Sequence, residues 1–440
     1  MRVRAAFVQT LASQLVQSVA SITTGVLIAR SLGPRGQGQY AAIAAGVAIG
    51  SALASIGQFQ GNVLAAANRD SQPRVLLLRA LIHGLAVSLA TMALLPLWTR
   101  FFRFGDASLS LVFTLLLSAE TVALMIRGIN LGQHHVTAWN IATLTQRFVY
   151  LGGVGALVLT RHAGLAPVLA SWALATLSSV AVSGAWIWLR SATTTLSLRR
   201  VWEGWGARMI VATRAFVTLG VTLLLIRCDL WMLGPMSGVE TVGQMSIAIA
   251  LGEWLWYIPS ILGNLLFAVV AADVVGKSTQ QIALGARAVT SMLVPTALVL
   301  SLAGPKLVTI LYGTSYEPAG TLFVLLLPGM TALGIHLVID AYFAGRGFPS
   351  ISIWSAIAAL TAKVGLNLVA VPSFGAPGAA VVTSLVYTAL LTVKVSAFTR
   401  RTGTPLGAVL VPAPGDFQYL LQWARTRLGA QPFKGPLGPV

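Results

Sequence analysis

Five charged side chains stand inside long apolar stretches of this sequence: Arg147, Arg214, Asp229, Glu253 and Lys363. A charge at mid-depth in a bilayer costs about 2.5–3.5 kcal/mol on insertion scales, so such a residue turns toward water, a counter-ion or a bundle interior. At about 100° per residue along a helix, each falls into a polar stripe. Asn140, Thr143 and Arg147 share one face; so do Arg214, Thr218, Thr222 and Asp229, and likewise Ser352, Lys363 and Asn367. Ser51, Ser55, Gln58 and Asn62 form a fourth stripe, and Ser246, Glu253, Tyr257, Ser260 and Asn264 a fifth, while Arg227 points away from Asp229. The basic members suit an anion such as a diphosphate, and the polar stripes suit a hydrated cavity. Glu253 and Asp229 are the carboxylates available for coupling to H+ or Na+. The same serines, threonines and asparagines also serve as hydrogen-bonding glue between helices, and the sequence leaves that alternative open. Lys394 and Arg79, near span ends, are expected to snorkel to the boundary. Asp340 is expected to pair with Arg346, six residues on.

The elements that position these residues follow from composition. The chain has 440 residues, 56% hydrophobic and 9% charged, with a mean hydropathy of +0.82. Soluble domains carry about 25% charged residues, so the chain requires lipid as solvent. Twelve apolar runs of membrane-spanning length are expected near 7–29, 40–63, 75–98, 108–126, 140–160 and 168–189, then 209–229, 243–268, 286–304, 320–343, 350–371 and 377–398. The fold class is therefore all-α integral membrane: residues 1–200 as an N-terminal lobe of helices 1–6, 201–399 as a C-terminal lobe of helices 7–12, and 400–440 as a tail. Within that tail, F-Q-Y-L-L-Q-W-A-R-T-R-L suits a short interfacial helix. With the N-terminus inside, nineteen lysines and arginines fall on the cytoplasmic side, counting Arg79, Arg147 and Arg287 with the loops their spans adjoin, and six outside. This bias fixes both termini as cytoplasmic.

The two halves echo each other. L-G-P stands at 32–34 and 233–235, G-Q follows at 38–39 and 243–244, and G-N-x-L at 61–64 and 263–266; L-T-Q-R at 144–147 matches L-T-A-K at 360–363. Two six-helix copies starting on the same side make parallel repeats.

The net charge of +18 is spread thinly over the loops with no aromatic interleaving, which does not read as a nucleic-acid surface. His83, His134, His135, His162 and His336 are scattered, no metal-ligand spacing is present, and the lone Cys228 forms no internal disulfide. No phosphate-binding loop occurs, so the chain is expected to use no cofactor and no nucleotide. Membrane potential would be a sufficient driving force for an anion.

I-A-R-S-L-G-P-R-G-Q-G-Q-Y at 28–40 resembles the A-R-x-L-G-P-x-x-x-G-x-Y signature of polysaccharide-biosynthesis membrane proteins. These are the lipid-linked oligosaccharide flippases of the multidrug/oligosaccharidyl-lipid/polysaccharide (MOP) exporter superfamily. R-C-D-L-W-M-L-G-P-M-S-G-V-E-T-V-G-Q-M-S-I-A, I-L-Y-G-T-S-Y-E-P-A, D-A-Y-F-A-G-R-G-F-P and L-N-L-V-A-V-P-S-F-G-A-P-G-A-A are similar to further segments of that family, with Met245 where tyrosine is usual. The resemblance implies a MATE-like fold of two lobes around a central cavity, alternating access, and a bacterial inner-membrane location. It implies an undecaprenyl-diphosphate-linked glycan as cargo, a polysaccharide-assembly machinery as partner, and a non-enzymatic role. Arg30 then sits at the outer mouth as a further cargo contact beside Arg147, Arg214 and Lys363. The alternatives are a cation-coupled multidrug or metabolite antiporter on the same fold and an intramembrane glycan polymerase. Twelve spans, rather than the fourteen usual in the lipid II branch, set the chain apart from that branch.

Overall fold

The computed structural model describes residues 2–67, 72–97, 107–133, 135–191, 205–271, 278–347, 349–411 and 413, all helix, turn or short connection. The helices are α1 (Arg2–Ala54), α2 (Gln58–Ala67), α3 (Pro73–Ala93), α4 (Ala107–Gly132), α5 (Val136–Leu159), α6 (Leu165–Arg190), α7 (Trp205–Ser237), α8 (Val239–Glu253), α9 (Tyr257–Ala271), α10 (Ser278–Tyr312), α11 (Glu317–Gly345), α12 (Ser350–Thr402) and α13 (Leu406–Leu410). Nine of the described helical stretches are long and apolar enough to cross a membrane. Two of these, α1 and α12, are each a pair of limbs joined at a glycine. Counted as limbs, and with α7 added, they correspond one for one with the twelve expected spans, and the chain is a multi-pass membrane protein.

The joints are single residues. Gly33 (φ 66, ψ 177) and Gly375 (φ 62, ψ −143) interrupt otherwise continuous helical backbone, in a region of φ that glycine enters without a Cβ clash. Pro34 then opens the second limb of α1, where its missing N–H would have had no partner anyway. In α12 the limbs double back: Lys363 and Tyr387 are hydrogen-bonded neighbours, equidistant from Gly375.

Expected spans 2 and 8 are not continuous. Span 2 breaks between α1 and α2, where Ile56 (φ 47) and Gly57 (φ 72) reverse the backbone. Span 8 breaks at a 3-10 turn, Trp254–Trp256, between α8 and α9. A side chain at or beside each break ties it to a neighbouring helix. His83 Nε2 donates to the Ala54 carbonyl (2.7 Å) while Gln58 Nε2 donates to His83 Nδ1 (3.0 Å), which fixes the imidazole tautomer. Trp256 Nε1 donates to the Met330 carbonyl (2.8 Å) on α11.

The chain divides into two compact units, Met1–Leu223 and Leu224–Val440. In the first unit α4 is the central helix: 67% of its most apolar stretch is buried, against 22% for α5. Its Leu116, Leu117, Met125, Ile126 and Ile129 pack against α1, α2, α3 and α6. In the second unit α11 has that place, with 78% buried. The amphipathic stretch expected in the tail lies outside the described residues.

Close approach of α2 to α4 depends on two glycines. A Cβ on Gly128 would stand 2.5 Å from the Phe59 carbonyl oxygen, and one on Gly132 would collide with that of Val63. Small residues four apart are how membrane helices bring backbones together. Gly128→Val is expected to lower stability by about 1–3 kcal/mol through overpacking, measured as a fall in thermal midpoint in detergent. Gly152→Val, at a glycine with open space around it, should fall far less.

Candidate functional site

Most of the polar stripes are consumed in packing. Ser51 and Ser55 are buried and donate to the Ala48 and Ala52 carbonyls, Gln58 is engaged with His83, and buried Asn62 donates to the Met125 carbonyl on α4 (3.1 Å). This corrects the expectation that the span 2 stripe lines a hydrated space. These polar groups face protein: the two serines return to carbonyls of their own helix, Gln58 meets α3, and Asn62 alone of the four reaches a backbone oxygen of the central helix. In span 8 the stripe divides: Ser246 is buried and donates to the Gly243 carbonyl, Ser260 is half-buried, and Tyr257 and Asn264 are exposed.

The second unit holds a charge cluster built from α7 and both limbs of α12. Lys363 Nζ lies 2.6 Å from Asp229 Oδ2, with side-chain exposures of 0% and 1%. The ammonium also donates to the Leu225 carbonyl (2.8 Å) and the Tyr387 hydroxyl (3.4 Å), and stands 4.8 Å from the Tyr387 ring centre. Asp229 Oδ1 accepts from Asn367 Nδ2 (2.7 Å) and Oδ2 from Thr383 Oγ1 (2.9 Å). Sequence reasoning placed Lys363 as a free cation for cargo and Asp229 as an ion-coupling carboxylate; instead each neutralises the other. The wheel gave the right face of span 11 for Lys363 and Asn367, and that face meets Asp229. A buried pair with its remaining hydrogen-bonding capacity filled holds together strongly, and removing one partner strands the other.

Two further carboxylates of the second unit are paired as well. Glu253 is bound by Arg227 (2.8 Å), both partly exposed at 27% and 28%. Lys394, expected at the boundary, is buried and holds Asp340 (2.5 Å) and Ser352 Oγ (2.9 Å). Arg346, the expected partner of Asp340, lies over the Tyr342 ring instead. Arg79 is buried, not snorkelled.

In the first unit a network missed by sequence reasoning surrounds Glu120 on α4. Its Oε1 accepts from Thr176 Oγ1 (2.7 Å), Gln146 Nε2 (2.9 Å) and Trp172 Nε1 (3.0 Å), and Gln146 Oε1 accepts from Arg127 Nη2 (2.7 Å). Gln146 is thereby fixed inward on α5, which turns the next residue, Arg147, to the exposed face. Arg147 acts electrostatically on Tyr40 and Tyr150, whose hydroxyls are joined at 3.0 Å, and it has no ion-pair partner among the described residues. It stands at the middle of α5, about 17 Å from either end at about 1.5 Å per residue, too far for its side chain to reach a boundary. An exposed mid-span guanidinium with no ion pair requires water or an anion. Arg30 is exposed just before the Gly33 turn. The side chain of Arg214 lies outside the described residues.

This architecture matches solved transporters. The inward-facing form of a multidrug resistance MATE family transporter of the MOP superfamily superposes with a TM-score of 0.69 at 14% identity, covering 90% of this chain and 98% of that one. The chain has the MOP-transporter fold. The lipid II flippase MurJ in an inward closed conformation gives 0.71 at 11% identity, covering 98% and 94%. A MOP superfamily transporter from Pyrococcus furiosus, described by a binding pocket of reversed polarity, gives 0.66 at 14%, covering 91% and 95%. MurJ is matched as fully as the MATE proteins, so likeness of fold does not separate the branches. No family model and no curated protein matches the sequence.

Lys363→Met is expected to destabilise the protein by about 3–5 kcal/mol, because it leaves the Asp229 carboxylate buried without a cation. The double change Lys363→Met with Asp229→Leu should recover most of that loss. Thermal unfolding of the three proteins in one detergent checks this, and a single variant as stable as the parent would show that the pair is not ionised.

Proposed function

We propose that the chain is a flippase that moves a polyprenyl-diphosphate-linked oligosaccharide across the bacterial inner membrane by alternating access. The observation that carries this reading is Arg147, an exposed, unneutralised guanidinium at the middle of a membrane-crossing helix. Its planar fork suits the paired oxygens of a phosphate. Arg30, exposed as well, is the second contact, and Arg214 belongs to the same proposal on sequence grounds alone. Lys363 is withdrawn from it because its charge is spent on Asp229. The prenyl tail would stay in lipid while the charged headgroup crosses. Outward movement in an inside-negative membrane is favoured by about 2.3 kcal/mol per charge per 100 mV, or about 4–5 kcal/mol for roughly two charges. No nucleotide is then needed, and an assembly machinery for the polysaccharide would receive the cargo outside.

The cation-coupled antiporter reading needs carboxylates free to take up H+ or Na+ in turn. Asp229 and Glu253 are each held by a basic partner, which favours the anionic cargo.

Arg147→Ala should reduce flipping of a fluorescent polyprenyl-diphosphate glycan in proteoliposomes about 10–100-fold, the loss of one charge-assisted contact worth about 1.5–3 kcal/mol. Arg147→Glu should abolish it, and Arg147→Lys should retain part. Full flipping by Arg147→Glu would overturn the assignment, and uptake of organic cations with no movement of the glycan would favour the antiporter.

A further inference from the structure

Two arginines lie over aromatic rings at one end of the second unit. The C-terminal ends of α11 and α12 lie together there, because Lys394 near the end of α12 holds both Asp340 near the end of α11 and Ser352 near the start of α12. Their buried rings form a rigid floor: Tyr342 meets Phe343 at 5.3 Å and Phe398 at 5.0 Å, both edge to face. Two exposed arginines are laid on that floor. The Arg346 guanidinium stands 4.7 Å from the Tyr342 ring centre and that of Arg401 5.7 Å from Phe343. These are stacking distances at which a cation is held by the ring face, leaving the N–H edges directed elsewhere. The nearby carboxylate, Asp340, is already taken by Lys394, and neither arginine has an ion pair among the described residues. Arg400 adds a third exposed charge.

The depth of this cluster is fixed by what surrounds it. It caps two membrane-crossing helices, and the chain then turns at Gly403 (φ 70) into α13, where Val409 is buried while Leu406, and Val411 just past the helix end, are exposed. Exposed aliphatic side chains beside unneutralised arginines mark the boundary between acyl chains and headgroups. We propose that Arg346 and Arg401 together bind the phosphate of an anionic phospholipid, with its acyl chains along the exposed side chains of Leu406 and Val411. The site is distinct from the cargo contact at Arg147, which lies in the other unit. The comparable pairs in the first unit, Arg74 over Trp188 and Arg190 over Trp186, do not make such a site. Trp186 and Trp188 project about 200° apart around α6, so their arginines cannot share one phosphate.

The test uses the full-length protein in detergent, titrated with phosphatidylglycerol, phosphatidylcholine or inorganic phosphate. Binding is followed by thermal midpoint and by the number of lipids retained in native mass spectrometry. Phosphatidylglycerol should raise the midpoint and phosphatidylcholine should not. Arg346→Gln with Arg401→Gln should weaken that response roughly 30-fold, the equivalent of about 2 kcal/mol for two arginines at a lipid surface, and remove one retained lipid. Arg401→Gln alone, at an exposed position, should give a smaller loss and serves if the double variant is poorly folded. The proposal is overturned if the double variant responds like the parent, if phosphatidylcholine is equally effective, or if inorganic phosphate gives the same shift, which would mark a site for free phosphate.

Discussion

A charge carried into a bilayer must be answered by something close to it, and the pairing of Asp229 with Lys363 is where this chain meets that constraint most completely. Both groups are dry, the ammonium has a carboxylate, a carbonyl and a hydroxyl around it, and the carboxylate takes a bond from Asn367 and another from Thr383. Every partner comes from α7 or from one of the two limbs of α12. The cluster is thus a clasp across the Gly375 turn as well as a neutral pair. Sheltered in this way, two charges of opposite sign can sit at mid-depth where one alone would force the helix to move or the group to discharge.

The same constraint explains why so few polar residues are left over. Serine and threonine hydroxyls return to carbonyls one turn back, as in Ser51, Thr114, Ser118 and Thr290. Such bonds satisfy the side chain within its own helix and leave it chemically quiet. Asn62 and Trp256 go further and tie a broken span to the central helix of their unit. In each unit, then, a helix interrupted in mid-course leans on the most buried neighbour, which gives the interruption its stability.

Much of this was legible in the sequence, and the remainder was hidden for physical reasons. Twelve runs of about twenty apolar residues leave little freedom in choosing spans, and L-G-P at 32–34 announces a turn that the structure realises at Gly33. The breaks were not legible. Ile56 is β-branched and a poor residue for positive φ, so nothing local marks it; the tertiary bond beside it, from His83, is to the Ala54 carbonyl. Nor does a helical wheel disclose partners. It placed Lys363 and Asn367 together correctly, yet it says nothing of which helix faces them, and so a counter-ion site was read as a vacancy for cargo. The unused signal was the sign of the charges: an acid and a base, each inside an apolar span, are cheaper together than apart. Asp340 was assigned to Arg346 because it is near in sequence, whereas Lys394, far along the chain, is the residue the fold delivers.

The echo between the halves sharpens what remains. L-T-Q-R and L-T-A-K place Arg147 and Lys363 at the same point of their repeats, and the L-G-P match places Ile28 where the second half has Asp229. Ile28 is buried and apolar. A base at one repeated position is therefore silenced in one unit by an acid that the other unit lacks. In the first unit the nearby carboxylate, Glu120, is turned inward, where Thr176, Gln146 and Trp172 occupy the oxygen that would otherwise face a cation. Arg147 is exposed and acts electrostatically on Tyr40 and Tyr150. A helix that merely had to fold would not keep such a group. Its place at the centre of α5 is the feature on which the proposed anionic cargo rests, since among the described residues Lys363, Lys394 and Arg227 each have a carboxylate partner and Arg147 has none.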